Sequence, residues 1–326
     1  MKRIFLCIFF FHFCVAFSAE KTYLFLGTII KIKIPSKEIP PETERFLKNL
    51  EKVFNYYDMN SEVSKINKNA GIQKTKVSKD LIECLKLALK IHHLTDGAFN
   101  VMLSPVIKIW KGLIKKKRVK KLPSKELILK KLKLTNIKDL LIDEKNNEVF
   151  LRKQGQEIDL GGIAKGFIVD KLAEFFRSKK INNFLIDAGG DIYCAGKNLN
   201  RKWKIAIRDP KDKYRYLKIL ELENKAIATS GSYEQFFEFE NKRYHHIIDP
   251  KTGFPIANNL LSVSVIADNL SLADSLSTAF FVMGKDKIKE FLKKNSLNIQ
   301  VYLVEEKNGE LKIYYFRKKD LSPTHN

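Results

Sequence analysis

Cysteine is scarce in this chain of 326 residues: there are four, and Cys7 and Cys14 lie near the start, which leaves Cys84 and Cys194 in the body. Two distant thiols leave a disulfide open without arguing for one. No cysteine or histidine spacing suits zinc, and no Ser-His-Asp arrangement stands out. Internal repeats and low-complexity linkers are also missing, which argues for one continuous domain. Acidic residues are few beside basic ones: 37 Asp and Glu face 60 Lys and Arg, a formal net charge of +23. Such a surplus would suit nucleic acid, but the lysines are spread along the whole chain. No RNP-like aromatic run, basic arm or zinc-finger spacing accompanies them, so nucleic acid is set aside as a partner. The surplus reads as a solvated lysine-rich surface, which an anionic membrane surface would attract.

A long apolar run occurs only at the start. Lys2-Arg3 precede an apolar stretch from Ile4 to Val15, and Ala16-Phe17-Ser18 form a small-x-small cleavage pattern. The stretch is short for a membrane span, so residues 1–18 are expected to be a signal peptide for export. Cys14 follows Phe11-His12-Phe13, without the small residue that lipid attachment needs before its cysteine.

What the chain does have is a glycine-centred stretch, Asp159-Leu160-Gly161-Gly162-Ile163-Ala164-Lys165-Gly166-Phe167-Ile168-Val169-Asp170. An extended run, Glu148 to Leu151, precedes it, and apolar residues at helical spacing follow: Phe167, Ile168, Leu172, Phe175 and Phe176. Asp159 to Gly162 therefore sit where a strand gives way to a helix. Paired glycines let the backbone approach a ligand, and free N–H groups at a helix start favour an anion. Lys165 puts a cation where the helix dipole prefers a negative group, a conflict that a bound phosphate resolves. The plainer alternative is a glycine turn with a solvated lysine.

Around this stretch the patterning segregates. Helices are expected after Pro40-Pro41, with Phe46, Leu47, Leu50, Val53 and Phe54 on one face, and from Ser78 to Thr95. Ser61 reads as a helix cap, and His92-His93 as structural. A lysine-dense solvated helix is expected within Ile114 to Lys133. Tyr23 to Ile34 reads as a single strand. Further strands are expected at Phe184–Ile186, Trp203–Arg208, Tyr216–Leu220, Ala226–Ala228 and Leu260–Ala267. Hairpins are expected around Asn241-Lys242, with Arg243 to Ile248 as the second strand, and around Asn308-Gly309. Helices before residue 135 and strands after residue 183 indicate an α+β fold with antiparallel sheets and packed helices. A helix from Ala273 to Met283 carries Asp274 and Thr278 four apart, so their oxygens share one face. A hard oxygen pair suits Mg²⁺, although Asp-x-x-x-Thr by itself is a common pattern.

Five stretches in order carry a resemblance: Asp96-Gly97-Ala98-Phe99, the Asp159–Asp170 motif, Asp187-Ala188-Gly189-Gly190-Asp191, His245-His246-Ile247-Ile248-Asp249-Pro250-Lys251-Thr252-Gly253, and Ala273-Asp274-Ser275-Leu276-Ser277-Thr278. Together they resemble the ApbE family, flavin transferases that move FMN from FAD onto proteins. The family's Pro-x-x-x-x-Trp is matched by Pro105 to Trp110, and Thr229-Ser230-Gly231 matches a loop that can lie against the cofactor. The chain departs from the pattern at Leu26, Asn100 and Met102, where the family has methionine, aspartate and often threonine.

The resemblance implies a single ApbE-like, T-fold-like domain over residues 19–326, exported to the periplasm. It implies that Ala98, Phe99, Asn100, Asp159, Lys165 and His246 contact FAD, the substrate. Asp274 and Thr278, with a backbone oxygen of Ala164, would hold Mg²⁺. His246 is the implied catalytic residue, beside the flavin or the acceptor hydroxyl; its bland alternative is a buried strand histidine. His245 should point to the other face. The implied reaction is attack by a threonine hydroxyl of an exported target protein on the FMN-side phosphorus, with AMP leaving. The chain lacks the family's acceptor segment, so self-modification is not expected. Two rivals stay open: an FAD pyrophosphatase using water, and a periplasmic flavin-binding protein without turnover.

Overall fold

The computed structural model describes residues 18–35, 37–116 and 118–320. Apart from Ser18, the expected signal peptide lies outside the described residues, as do Cys7 and Cys14.

The chain opens with β1 (Ser18–Phe25) and β2 (Thr28–Pro35). Helices α1 (Thr43–Phe54) and α2 (Glu62–Lys68) follow, then β3 (Thr75–Lys76), α3 (Lys79–Leu94), α4 (Ser104–Ile114) and α5 (Lys125–Leu132). Next come β4 (Leu140–Asp143), β5 (Glu148–Leu151) and the central helix α6 (Ala164–Ser178). Seven strands then run in sequence: β6 (Phe184–Ala188), β7 (Asp191–Ala195), β8 (Trp203–Arg208), β9 (Tyr216–Leu222), β10 (Lys225–Gly231), β11 (Phe236–Phe239) and β12 (Lys242–His245). The chain continues through β13 (Leu260–Ala267), α7 (Leu270–Lys294), β14 (Gln300–Lys307) and β15 (Glu310–Arg317).

One eight-stranded sheet, ordered β1-β2-β6-β7-β10-β13-β14-β15, organises the molecule, and each neighbouring pair is antiparallel. Both its faces are covered near the middle. Ala226 and Ala228 of β10 and Val263 and Val265 of β13 join the main core beneath α6 and α7. The alternate residues Ile227 and Ile266 point the other way, into a second cluster with Trp203, Ile205 and Ile207 of the β8–β9 ribbon. Burial on both sides is why every residue of β13 except Leu261 is buried, Ser262 and Ser264 included. A third cluster, built on Trp110, Ile128 and Phe237, joins α4 and α5 to the β11–β12 hairpin.

The α+β reading holds, with four local corrections. Tyr23 to Ile34 is a hairpin, not one strand: Leu26 (φ 48°) and Gly27 (φ 73°) form a two-residue turn with both residues left-handed. The buried positions switch phase across the turn, from Tyr23 and Phe25 to Ile30, Ile32 and Ile34. The exposed Leu24 and the turn residue Leu26 are apolar at the later phase and mask the switch. The lysine-dense segment is no single helix; α4 ends at Ile114, and α5 starts only after Ser124, whose side chain caps it. Strand β7 went unread because it starts inside the Asp187–Asp191 motif, just past the Gly189-Gly190 turn. Finally, β12 stops at His245, so His246 lies one residue beyond the strand.

Other expectations match. Ser61 accepts from the Ser64 N–H and caps α2, and His92 Nδ1 lies 2.8 Å from the Phe99 carbonyl in a structural contact. Among the described residues Cys84 and Cys194 are free, and they are buried in different clusters.

Helices α6 and α7 cross at Gly166. A Cβ there would lie 2.5 Å from the Leu270 carbonyl oxygen and 2.6 Å from Ser271 Cα. Asp170, one turn on, accepts from the Leu270 and Ser271 N–H groups at 2.8 and 2.9 Å and so caps α7. Gly166→Ala should therefore lower stability by about 1–3 kcal/mol through overpacking against main chain. Gly112, also in a helix, has no atom of the described residues within 4 Å of its Cβ position. Gly112→Ala should instead stabilise by about 0.5–1 kcal/mol. Denaturant melts of the two variants decide this, and equal shifts would remove the close crossing.

Candidate functional site

The start of α6 is held from several sides. The Asp159 N–H donates to the Val101 carbonyl at 2.8 Å, and Asp159 Oδ1 accepts from the Gly161 N–H at 2.8 Å. Gly162 then passes close to two walls: a Cβ there would lie 3.2 Å from Phe99 Cε2 and 3.3 Å from Thr278 Oγ1. The result is a cleft of about 270 Å³ between the α6 start, α7 and the loop after β12. Ala98, Phe99 and Asn100 line it from the α3–α4 connection, Asp159 and Lys165 from the motif. His246, Asp274 and Thr278 complete the set expected from the sequence. Ala164 alone is not at its surface: it is buried at the first position of α6, and Gly161 and Gly162 line the cleft in its place.

Asp274 lies 4% exposed on α7, with Oδ2 accepting from the Gly166 N–H at 3.1 Å. Burial pushes its carboxyl up to about 7, against the pull of the Lys165 charge. An ionised Asp274 is thus costly without a cation beside it. Thr278 Oγ1 lies 3.2 Å from Ser230 Oγ, one turn along the same face. A carboxylate, a hydroxyl and main-chain oxygens of the 161–164 turn are hard donors of the kind a divalent cation with retained waters takes. Among the described residues no group of three or more His, Cys, Asp or Glu is placed to hold a metal. Any cation here needs ligand or water oxygens to fill its shell. The cleft itself is lined by three carboxylates, Asp159, Glu234 and Asp274, against the ammonium groups of Lys111 and Lys165. That balance repels a polyanion until a cation is added.

Lys165 pairs with Asp191 at the start of β7, whose side chain is 5% exposed. Burial works against its charge, but Asp191 and Asp274 outweigh that and hold the ammonium above the usual lysine value. The cation that conflicts with the helix start is thus paired within the protein.

His246 is half-buried at the rim. Its N–H donates to the Gln235 carbonyl at 3.1 Å, and its Nδ1 lies 3.3 Å from the same oxygen. A carbonyl only accepts, so this contact assigns the proton to Nδ1 and leaves Nε2 basic. Burial lowers its pKa, and the charges of Lys111 and Lys165 lower it further. His245 points away, its ring edge-on to Phe281 at 5.5 Å, and does not line the cleft.

Asn100 is committed to the fold: Oδ1 accepts from the Met102 N–H at 2.9 Å, and Nδ2 donates to the Thr135 carbonyl at 3.0 Å. Phe99 supplies an apolar wall, 4% exposed. Sequence reasoning missed Lys111, Glu234 and Gln235 as cleft residues. Lys111 directly follows the Trp110 of Pro-x-x-x-x-Trp, yet nothing local marks which of many lysines turns inward.

His245 carries a pH prediction. Burial, more than the neighbouring His246 charge, lowers its pKa from 6.5 to about 4. The unfolded chain then binds a proton that the native state refuses, so stability falls as pH drops from 6.5 towards 4, by roughly 3 kcal/mol at most. His245→Phe should flatten that fall in thermal melts taken across the window. An unchanged slope would assign the acid sensitivity to other groups.

The family model described as the ApbE family matches residues 26–303. The chain is similar to a Haemophilus influenzae protein named FAD:protein FMN transferase, 35% identical over 279 residues, 84% of this chain and 80% of that one. A Vibrio cholerae relative of the same name is 34% identical over 275 residues, 80% of each chain. Among solved structures, the flavin transferase ApbE from Vibrio cholerae aligns with a TM-score of 0.81 at 29% identity, covering 94% of this chain and 99% of that one. The ApbE protein from Thermotoga maritima gives 0.80 at 33% identity, covering 90% and 96%. With its motifs gathered round one cleft and its family model spanning most of its length, the chain belongs to the ApbE family.

Proposed function

We propose that this protein is a magnesium-dependent FAD:protein FMN transferase, which moves FMN from FAD to a threonine hydroxyl of an exported target protein. The observation that carries the reading is one cleft holding Asp274, Thr278, Lys165 and His246 together. Asp274, Thr278 and main-chain oxygens of the 161–164 turn would hold the magnesium ion, which supplies charge neutralisation to the diphosphate. Lys165, kept charged by Asp191, faces the same diphosphate. Phe99 and the neighbouring apolar wall exclude water from the flavin side. His246, neutral and with Nε2 free, takes the proton of the acceptor hydroxyl as its oxygen attacks the FMN-side phosphorus. The bond from that phosphorus to the bridging oxygen breaks, AMP leaves with the electron pair, and a phosphoester joins FMN to the target. The basic, apolar N-terminal stretch supports export to the periplasm, and no described helix is long and apolar enough to cross a membrane.

Mass spectrometry of a threonine-bearing target, incubated with the protein, FAD and Mg²⁺, should show addition of FMN. AMP released equally with and without target, and no adduct, would establish FAD hydrolysis in place of transfer. Asp274→Asn should abolish both the adduct and the Mg²⁺ dependence while the fold melts normally. His246→Ala should slow transfer by roughly 10²–10⁴ with FAD affinity little changed. Loss of FAD binding in step with transfer would make His246 a flavin contact and not the base.

A further inference from the structure

The cleft holds its two lysines by the same device. Asp191 places Oδ1 on the Thr229 N–H at 3.1 Å and Oδ2 on Lys165. Asp159 places Oδ1 on the Gly161 N–H at 2.8 Å and Oδ2 on Lys111 Nζ at 3.2 Å. In each case a largely buried carboxylate, 5% or 12% exposed, holds cleft main chain with one oxygen, a strand at Thr229 and a turn at Gly161, and aims an ammonium group with the other. The lysine side chains match as well, 34% exposed for Lys165 and 32% for Lys111. An ammonium group has three donors, so pairing with one carboxylate leaves donors free toward the cleft.

Lys111 is also rigidly based. It follows Trp110, which is 1% exposed and donates from Nε1 to the Gly253 carbonyl at 2.8 Å. The indole stacks on Tyr244 at 6.0 Å, so α4 is locked to the hairpin and turn that carry His246. A lysine that keeps about a third of its side chain in water contributes only modestly to stability through one carboxylate pair. The placement of Lys111 therefore has no strong structural reason, whereas a cleft that takes an anion supplies one.

We infer that Lys111 is a second cationic contact for the diphosphate of the cleft's ligand, held by Asp159 as Lys165 is held by Asp191. The inference rests on the reading of this cleft as an FAD site. A diphosphate carries two negative charges, and each lysine, though paired to one carboxylate, keeps donors free for it. A second ammonium group, from α4 instead of α6, lets the cleft bind a dianion from two sides and places positive charge on both helices around the reacting phosphorus.

The test is binding of FAD and of riboflavin, which lacks phosphate, to the full chain with Mg²⁺ at two salt concentrations. Lys111→Gln, which can still hydrogen-bond Asp159, should weaken FAD by about 10- to 100-fold. Riboflavin affinity should stay within about twofold, and the salt dependence of FAD binding should become shallower. Lys111→Arg should recover most of the loss, since the charge is kept. Equal weakening of FAD and riboflavin, or unchanged FAD affinity in Lys111→Gln, would overturn the inference and leave Lys111 as a prop for the Asp159 turn. Wild-type protein that binds FAD no better than riboflavin would instead overturn the FAD-site reading, and the inference with it.

Discussion

Gly166 lies so close to the first turn of α7 that a methyl group would stand 2.5–2.6 Å from the main chain of Leu270 and Ser271. At that distance two helices are joined backbone to backbone, with no side chain as spacer. Asp170 locks the joint by capping α7, and the Gly166 N–H meets Asp274 across it. The motif glycine Gly162 then reaches the next turn of α7 at Thr278. The cleft is a consequence of this crossing: separate α6 from α7 by one methyl group, and the motif no longer shares a surface with the Asp274/Thr278 pair.

Electrostatics build on that geometry. A carboxylate as buried as Asp274 ionises reluctantly, and its pKa near 7 reflects burial first. Lys165 and Asp191 sit beside it as a pair, so the site stores opposite charges in a place of low dielectric, where each matters more than at the surface. His246 lies at the rim of this field, kept neutral by burial and by two lysines. The overall charge of +23 does not describe the cleft, whose lining carries more carboxylates than ammonium groups. Net charge belongs to the surface and to long-range attraction; the balance within the site is set by a handful of placed residues.

The sheet supplies stiffness to the helices that carry the site. Helix α7 lies on β10 and β13, which pair along Ala226–Gly231 and Ser262–Ala267. Ser230 at the end of β10 touches both Ser277 and Thr278 of α7, at 2.8 and 3.2 Å. The second apolar layer, the β8–β9 ribbon, keeps the far side of the same strands dry. Thr278 is thus referenced to a strand that is buried on both faces.

Much of this was legible in the residues. Apolar periodicity placed α1, α3, α6, β8 and β13, because period alone decides which face of an element can be buried. Asn308-Gly309 marked its hairpin by turn chemistry, since few other pairs accept two left-handed residues. The Asp159–Asp170 motif and Asp274/Thr278 stood out by local pattern and by family resemblance, and the fold brings Asp159, Lys165, Asp274 and Thr278 to one cleft. Leu26-Gly27 escaped because the apolar but exposed Leu24 and the turn residue Leu26 carry the phase of Ile30, Ile32 and Ile34 back across the turn, although burial changes phase there. Lys111, Glu234 and Gln235 escaped because whether a charged side chain faces water or a cleft depends on its neighbours in space, not on its neighbours in the chain. For the same reason the local pattern treats the two glycine roles alike: Gly161-Gly162 forms a turn, whereas Gly166 is required by a helix about a hundred residues away. The chain alone determined the elements and the chemical inventory of the site, since propensity, period and turn preference act over a few residues. Only the tertiary structure decided which lysines, carboxylates and histidine meet, because that depends on long-range packing and on the burial it imposes.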